Sequence, residues 1–88
     1  MGLERRMARG TVRFWAAAKE AAGIAEETFD AETLAELVTK ITRNEALARV
    51  LPRCSFLVDG NPAGTRDHRT VELSEGVTVE VLPPFAGG

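Results

Sequence analysis

The strongest pattern in this sequence is a helical stripe. Leu34, Leu37, Val38 and Ile41 fall at i, i+3, i+4 and i+7, which places one apolar face on one helix. Such a helix cannot bury its stripe alone, so another element must offer a matching apolar face. Short runs of period-2 alternation supply it. Val12 and Phe14 alternate with Thr11, Arg13 and Trp15 over Gly10–Trp15, and Cys54, Phe56 and Val58 share a face of Arg53–Asp59. Val77, Val79 and Val81 alternate with Thr78, Glu80 and Leu82. A weaker strand is expected over Ala25–Phe29, with Phe29 as its core anchor, and a short edge strand over Thr70–Leu73. One helix with one apolar face and one sheet with one apolar face make an α+β domain of two layers.

Shorter elements fill the gaps. Ala16–Ala22 (AAAKEAA) is rich in helix formers and Gly23 supplies its stop, giving a helix of about two turns. Asp30 is the expected N-cap of the main helix, with Glu32 suited to the positive end of its dipole. Asn44 interrupts that helix, and Glu45–Leu51 forms another that Pro52 stops. Asp59-Gly60-Asn61-Pro62 and Ser74-Glu75-Gly76 read as turns, and Ala63–Arg69 as loop.

Length and composition then exclude whole classes of function. At 88 residues the chain is one domain, burying only ~60–65% of the surface its unfolded form exposes. One cysteine rules out an intrachain disulfide, and Cys54 with His68 cannot make a structural zinc site, so no metal is expected. Eleven basic against thirteen acidic residues give no field suited to nucleic acid. No apolar run reaches the ~18 residues of a membrane helix. Met1–Gly10 has no apolar core behind its arginines and is not a secretory signal, so the expected location is the cytoplasm. A single histidine, no tyrosine and little mass to enclose a pocket of ~300 Å3 argue against self-contained catalysis. Function is expected at a surface or a terminus.

The terminus is distinctive. Pro83 and Pro84 stiffen the chain as it leaves the last strand, Phe85 follows, and Ala86-Gly87-Gly88 has almost no side chains. A slender tip on a stiff base can enter a channel closed to a bulky terminus, and its one chemical group is the Gly88 carboxylate. A frayed end gains nothing from an exposed phenylalanine. VEVLPPFAGG (Val79–Gly88) resembles the C-terminus of the ubiquitin-like sulfur carriers, the MoaD/ThiS family. RFWAAAKEAAG (Arg13–Gly23), TLAEL (Thr33–Leu37) and FLVDG (Phe56–Gly60) are similar to its molybdopterin synthase small-subunit branch. The thiazole-pathway carriers usually lack the Ala16–Ala22 helix and are the weaker match.

The resemblance implies a β-grasp fold: a mixed sheet wrapped around the Glu32–Arg43 helix, with additional short helices. The implied organisation is an extension over 1–9, a β-grasp domain over 10–82 and a Gly-Gly tail over 83–88. It also implies a role for Gly88. An E1-like enzyme would spend ATP to adenylate the carboxylate, and a sulfur donor would convert it to a thiocarboxylate. The large subunit of molybdopterin synthase would then use that sulfur to build the dithiolene of molybdopterin. Pro83, Pro84, Phe85, Ala86 and Gly87 would thread into the partner's site, and Leu82, Phe85 and Glu80 would touch the partner. The chain would bind no cofactor and act as a sulfur-donating subunit or cosubstrate, not as a catalyst. Other readings keep the tail: another client (thiamin thiazole, cysteine or a thiosugar), or a ubiquitin-like modifier joining Gly88 to lysines. A plain binding module with an incidental tail is the fourth.

The remaining residues carry blander expectations. Cys54, in phase with Phe56, is read as a buried inert core thiol, and His68 as a solvated loop residue. Trp15 stands out of phase with Val12 and Phe14 and is expected to pack under the Ala16–Ala22 helix. Glu72, Glu75 and Glu80, with no basic residue beyond Arg69, are expected to form one acidic surface facing a basic patch on a partner.

Overall fold

The computed structural model describes residues 7–84. Its sheet has five strands: β1 (Ala8–Phe14), β2 (Glu26–Ala31), β3 (Ser55–Val58), β4 (Asn61–Pro62) and β5 (Thr78–Leu82), ordered β2-β1-β5-β3-β4. The central pair, β1 and β5, is parallel, and every other pairing is antiparallel, so the sheet is mixed. Helices α1 (Ala16–Ala22), α2 (Leu34–Ile41) and α3 (Glu45–Val50) complete the domain. The β-grasp expectation is met. β1 starts earlier than the sequence reading had it: Ala8 and Arg9, assigned there to the extension, pair with Ala31 and Asp30.

The core lies where the two apolar faces meet. Leu34, Leu37 and Ile41 of α2 are buried against Val12, Phe14, Phe29, Phe56, Val79 and Val81 of the sheet. Alternation in β1 buries Ala8, Gly10, Val12 and Phe14 and turns Arg9, Thr11 and Arg13 to the other face. Gly23 ends α1 in a left-handed conformation, its N–H bonding the Lys19 carbonyl at 2.9 Å.

Two local expectations are corrected. The N-cap of α2 is Thr33, not Asp30, which lies in β2. The Thr33 hydroxyl accepts from the Glu36 N–H at 3.2 Å, and the Glu36 carboxylate reaches back to the Glu32 N–H at 2.6 Å. This is a capping-box arrangement moved by one residue. Thr33→Ala should cost about 1 kcal/mol in urea denaturation, whereas Asp30→Ala should cost about half that or less, since its side chain only meets Arg9 at the surface. As expected, the α-helix ends before Pro52, at Val50, and Pro52 sits in a 3-10 turn, Leu51–Arg53, that follows it. Thr70–Leu73 forms no strand, leaving a single bridge between Thr33 and Glu72. The edge strand is Asn61–Pro62 instead. Asp59 (φ 51°) and Gly60 (φ 83°) make a two-residue hairpin turn that lays it against Val58 and Leu57. Pro62 is tolerated there because an edge position need not donate to a neighbour.

Candidate functional site at the root of the C-terminal tail

β5 is held on both sides, by β1 and β3, and Val77, Val79 and Val81 are 1% exposed or less. The strand that carries the tail is therefore the middle strand of the sheet, fixed from both sides. Its other side chains, Thr78, Glu80 and Leu82, are half-buried on the face away from α2. Pro83 is buried and Pro84 exposed, so the chain leaves the domain between them. Pro83 thus packs against the domain at the end of β5. Phe85, Ala86, Gly87 and Gly88 lie outside the described residues.

Trp15 stands beside this exit, and its expected place under α1 is corrected. Its backbone N–H donates to the Val81 carbonyl at 3.2 Å, extending the β1–β5 pairing past Phe14. The indole Nε1–H donates to Glu80 Oε1 at 3.0 Å, and the Arg13 guanidinium lies 5.2 Å from the ring centroid. Arg13 also pairs with Glu26 at 3.5 Å. The ring is 40% exposed on the same face as Glu80 and Leu82. Strand alternation carries it there: Trp15 is one step beyond Phe14, whose side chain points into the core. That phase was legible; the Glu80 partner, from the neighbouring strand but 65 residues away in sequence, was not.

The acidic C-terminal surface divides in two. Glu75 Oε1 accepts from the Arg9 N–H at 3.1 Å, and Glu75, Glu72 and Glu32 line an open cleft of about 620 Å3 with Met7. Glu80 pairs in register with Arg13, four residues further along β1 or about 13 Å away. Tail exit and acidic cleft thus occupy opposite ends of the sheet.

Cys54 is half-buried, not fully buried. Its Sγ–H donates to the Val50 carbonyl at 3.2 Å, and burial raises the thiol pKa, so the sulfur is protonated and poorly nucleophilic. His68, expected in solvent, packs edge-on against Phe56 with centroids 5.3 Å apart. Both border an apolar cleft of about 240 Å3 with Val38 and Leu51. The Asp67 carboxylate holds the Arg69 guanidinium at 2.6 Å, and that bond lowers the Asp67 pKa to about 2. Among the described residues, no group of three or more His, Cys, Asp or Glu side chains is placed to hold a metal ion. No described helix is long and apolar enough to cross a membrane.

The geometry can be set against known proteins. The small archaeal modifier protein 1 of Methanosarcina acetivorans superposes with a TM-score of 0.81 at 23% identity, over 94% of this chain and 99% of that one. The Haloferax volcanii modifier protein of the same name gives 0.74 at 17% identity, covering 92% and 100%. A chain from the complex of subunits 1 and 2 of molybdopterin-converting factor from Helicobacter pylori gives 0.68 at 24% identity, covering 91% and 99%. At these identities the likeness concerns the fold. No curated protein sequence matches the chain. The ThiS family profile matches residues 12–88, which takes in the end of β1, all of β2 to β5 and the Gly-Gly tail. On that match, and on the fold that carries it, the chain belongs to the ThiS family of ubiquitin-like sulfur carriers.

Proposed function

We propose that the chain carries sulfur on Gly88 and donates it to molybdopterin synthesis as the small subunit of molybdopterin synthase. The observation that carries this reading is the anchored β5, which ends in Pro83–Pro84 and leads to Phe-Ala-Gly-Gly. A terminus that must reach into another protein needs a fixed origin and a thin tip, and this arrangement provides both. The carboxylate oxygen attacks the α-phosphorus of ATP on an E1-like enzyme and releases pyrophosphate. Sulfur at the hydrosulfide level, supplied by the donor, then attacks the acyl carbon and expels AMP; a C–S bond replaces the C–O bond to AMP, the S–H proton passes to solvent, and a thiocarboxylate remains. The bound carrier presents that sulfur to the acceptor at high effective concentration.

The molybdopterin client finds support in the solved complex of subunits 1 and 2 from Helicobacter pylori, whose matched chain shares this fold. In that role Leu82, Glu80 and Phe85 face the large subunit, and Pro84, Phe85, Ala86 and Gly87 thread into it. The likeness to the archaeal modifier proteins favours a second reading, in which Gly88 is joined to lysines.

Intact-mass measurement after incubation with ATP, an activating enzyme and a sulfur donor tests the carrier reading. One oxygen-to-sulfur exchange confined to the C-terminal peptide is expected; unchanged mass with partners that load another carrier overturns it. Adding the large subunit and a molybdopterin precursor then tests the client. Phe85→Ala should weaken association with the large subunit about ten-fold or more, as loss of an aromatic anchor does, with the melting temperature unchanged. A large fall in melting temperature would instead place Phe85 in the domain's own packing.

A further inference from the structure

Arginine supplies nine of the eleven basic residues, and the two lysines are Lys19 and Lys40. That imbalance matters in a chain whose terminus is activated as an acyl group. A guanidinium remains protonated and does not attack acyl carbons, whereas an amine attacks once it loses its proton. The chain therefore has two side-chain amines that an activated carboxylate could acylate. Their surroundings differ. Lys40 Nζ donates to the Asp30 carbonyl of β2, which occupies it at the sheet edge. Lys19 lies on an exposed part of α1, and its side chain makes no hydrogen bond or ion pair among the described residues. It borders an open hollow of about 840 Å3 lined also by Trp15, Ala17, Gly23 and Ile24. Trp15 and Ile24 are 40% and 45% exposed, so an apolar floor lies beside a free amine. Gly23 has no side chain, and a Cβ placed there would meet nothing within 4 Å, leaving room for a narrow peptide.

We propose that Lys19 is the acceptor amine through which copies of this chain become linked, Gly88 of one copy to Lys19 of another. The step rests on the reading that Gly88 is adenylated, with ATP as co-reactant. The unprotonated Nζ attacks the Gly88 acyl carbon, a C–N bond forms, and the bond to AMP breaks. The nitrogen's extra proton passes to solvent, and nothing is oxidised or reduced. The amine comes from a second copy because Pro83 and Pro84 start the tail in an extended direction, and the activating enzyme holds its tip. The incoming Phe85 would rest on Trp15 and Ile24.

The experiment uses the full chain with ATP and an E1-like activating enzyme, and omits the sulfur donor. A covalent dimer is expected, with a mass of two chains less one water. Since no lysine or arginine follows Arg69, trypsin should release from the dimer a branched peptide, Thr70–Gly88 joined to Phe14–Lys40 left uncut at Lys19. Lys19→Arg should lower the dimer yield at least ten-fold, and Lys40→Arg should leave it unchanged. Linkage at Lys40 or at the Met1 amine, a cyclised monomer, or pyrophosphate release with no linkage overturns the assignment of Lys19. Absence of pyrophosphate release overturns the Gly88 reading itself, and this proposal with it.

Discussion

Removing Gly87 and Gly88 should abolish sulfur loading completely while leaving the melting temperature of the domain within about 1 °C of the parent. The two halves of this result have separate causes. The last strand ends at Leu82: Val77, Val79 and Val81 complete its packing, and Pro84 is already exposed. The described core is complete before the deleted glycines, so the domain is expected to keep its stability. Chemistry loses everything, because the truncated chain would present the Ala86 carboxylate two residues, or about 7 Å, short of where the full tail places its own. That gap exceeds the tolerance of an activating site, where about 1 Å of misplacement can cost a hundred-fold in rate. No other group can stand in. Cys54, the one thiol, keeps its proton, bonds the Val50 carbonyl and lies half-buried against the core. Intact mass should show no oxygen-to-sulfur exchange, and circular dichroism should show an unaltered melt. Sulfur on the truncated chain would place the acceptor elsewhere and end the Gly88 reading.

What the sequence reveals follows from how local each signal is. The α2 stripe, the Val77-Val79-Val81 alternation and the Gly23 stop are set by neighbours within a few residues, and the fold realises all of them. The errors share an opposite origin. Asp30 and Thr33 are both good N-cap residues, and the choice was made by β2, which extends through Ala31 to pair with Ala8. Asp59-Gly60-Asn61-Pro62 is dense in turn formers, yet only Asp59 and Gly60 turn; the partner strand β3 draws Asn61 and Pro62 into the sheet. Trp15 was in the right phase for the outward face, but its contact with Glu80 joins residues 65 apart in sequence. The acidic segment looked continuous because Glu72, Glu75 and Glu80 are close along the chain, although β5 carries Glu80 away from the other two. The tail is the converse case. Its chemistry is legible because it depends on residue types in order, not on packing.

Gly10 gives the clearest example of a constraint that no local pattern discloses, and its replacement should produce the largest loss of stability of any substitution considered. In the sequence it marks the start of a strand, where a glycine reads as a weak point. In the fold it is buried on the inward face of β1, opposite Phe29. A Cβ there would fall 2.5 Å from the Val77 carbonyl oxygen, 2.6 Å from Val77 Cγ1 and 3.0 Å from Phe29 Cζ. The Val77 side chain could turn aside, but its carbonyl accepts from the Thr11 N–H at 2.9 Å and belongs to the approach to β5. Relief requires the backbones of β1 and β5 to separate, which is the pairing that anchors the tail. Overpacking of this kind costs about 1–3 kcal/mol, so Gly10→Ala should lower the melting temperature by roughly 5–20 °C in a domain of this size. Gly10→Val, with two more methyl groups in the same gap, should leave little folded protein. Gly60 supplies the control: a Cβ there meets nothing within 4 Å, and only its left-handed φ of 83° resists substitution. Gly60→Ala should therefore cost about 1–2 kcal/mol through backbone strain alone. Combining Gly10→Ala with Val77→Ala should leave most of the Gly10 penalty in place, because it removes the Cγ1 clash and not the carbonyl. Thermal and urea melts of the four variants decide the matter: a Gly10→Ala midpoint equal to that of the parent would mean that β1 and β5 do not pack as closely as this geometry requires.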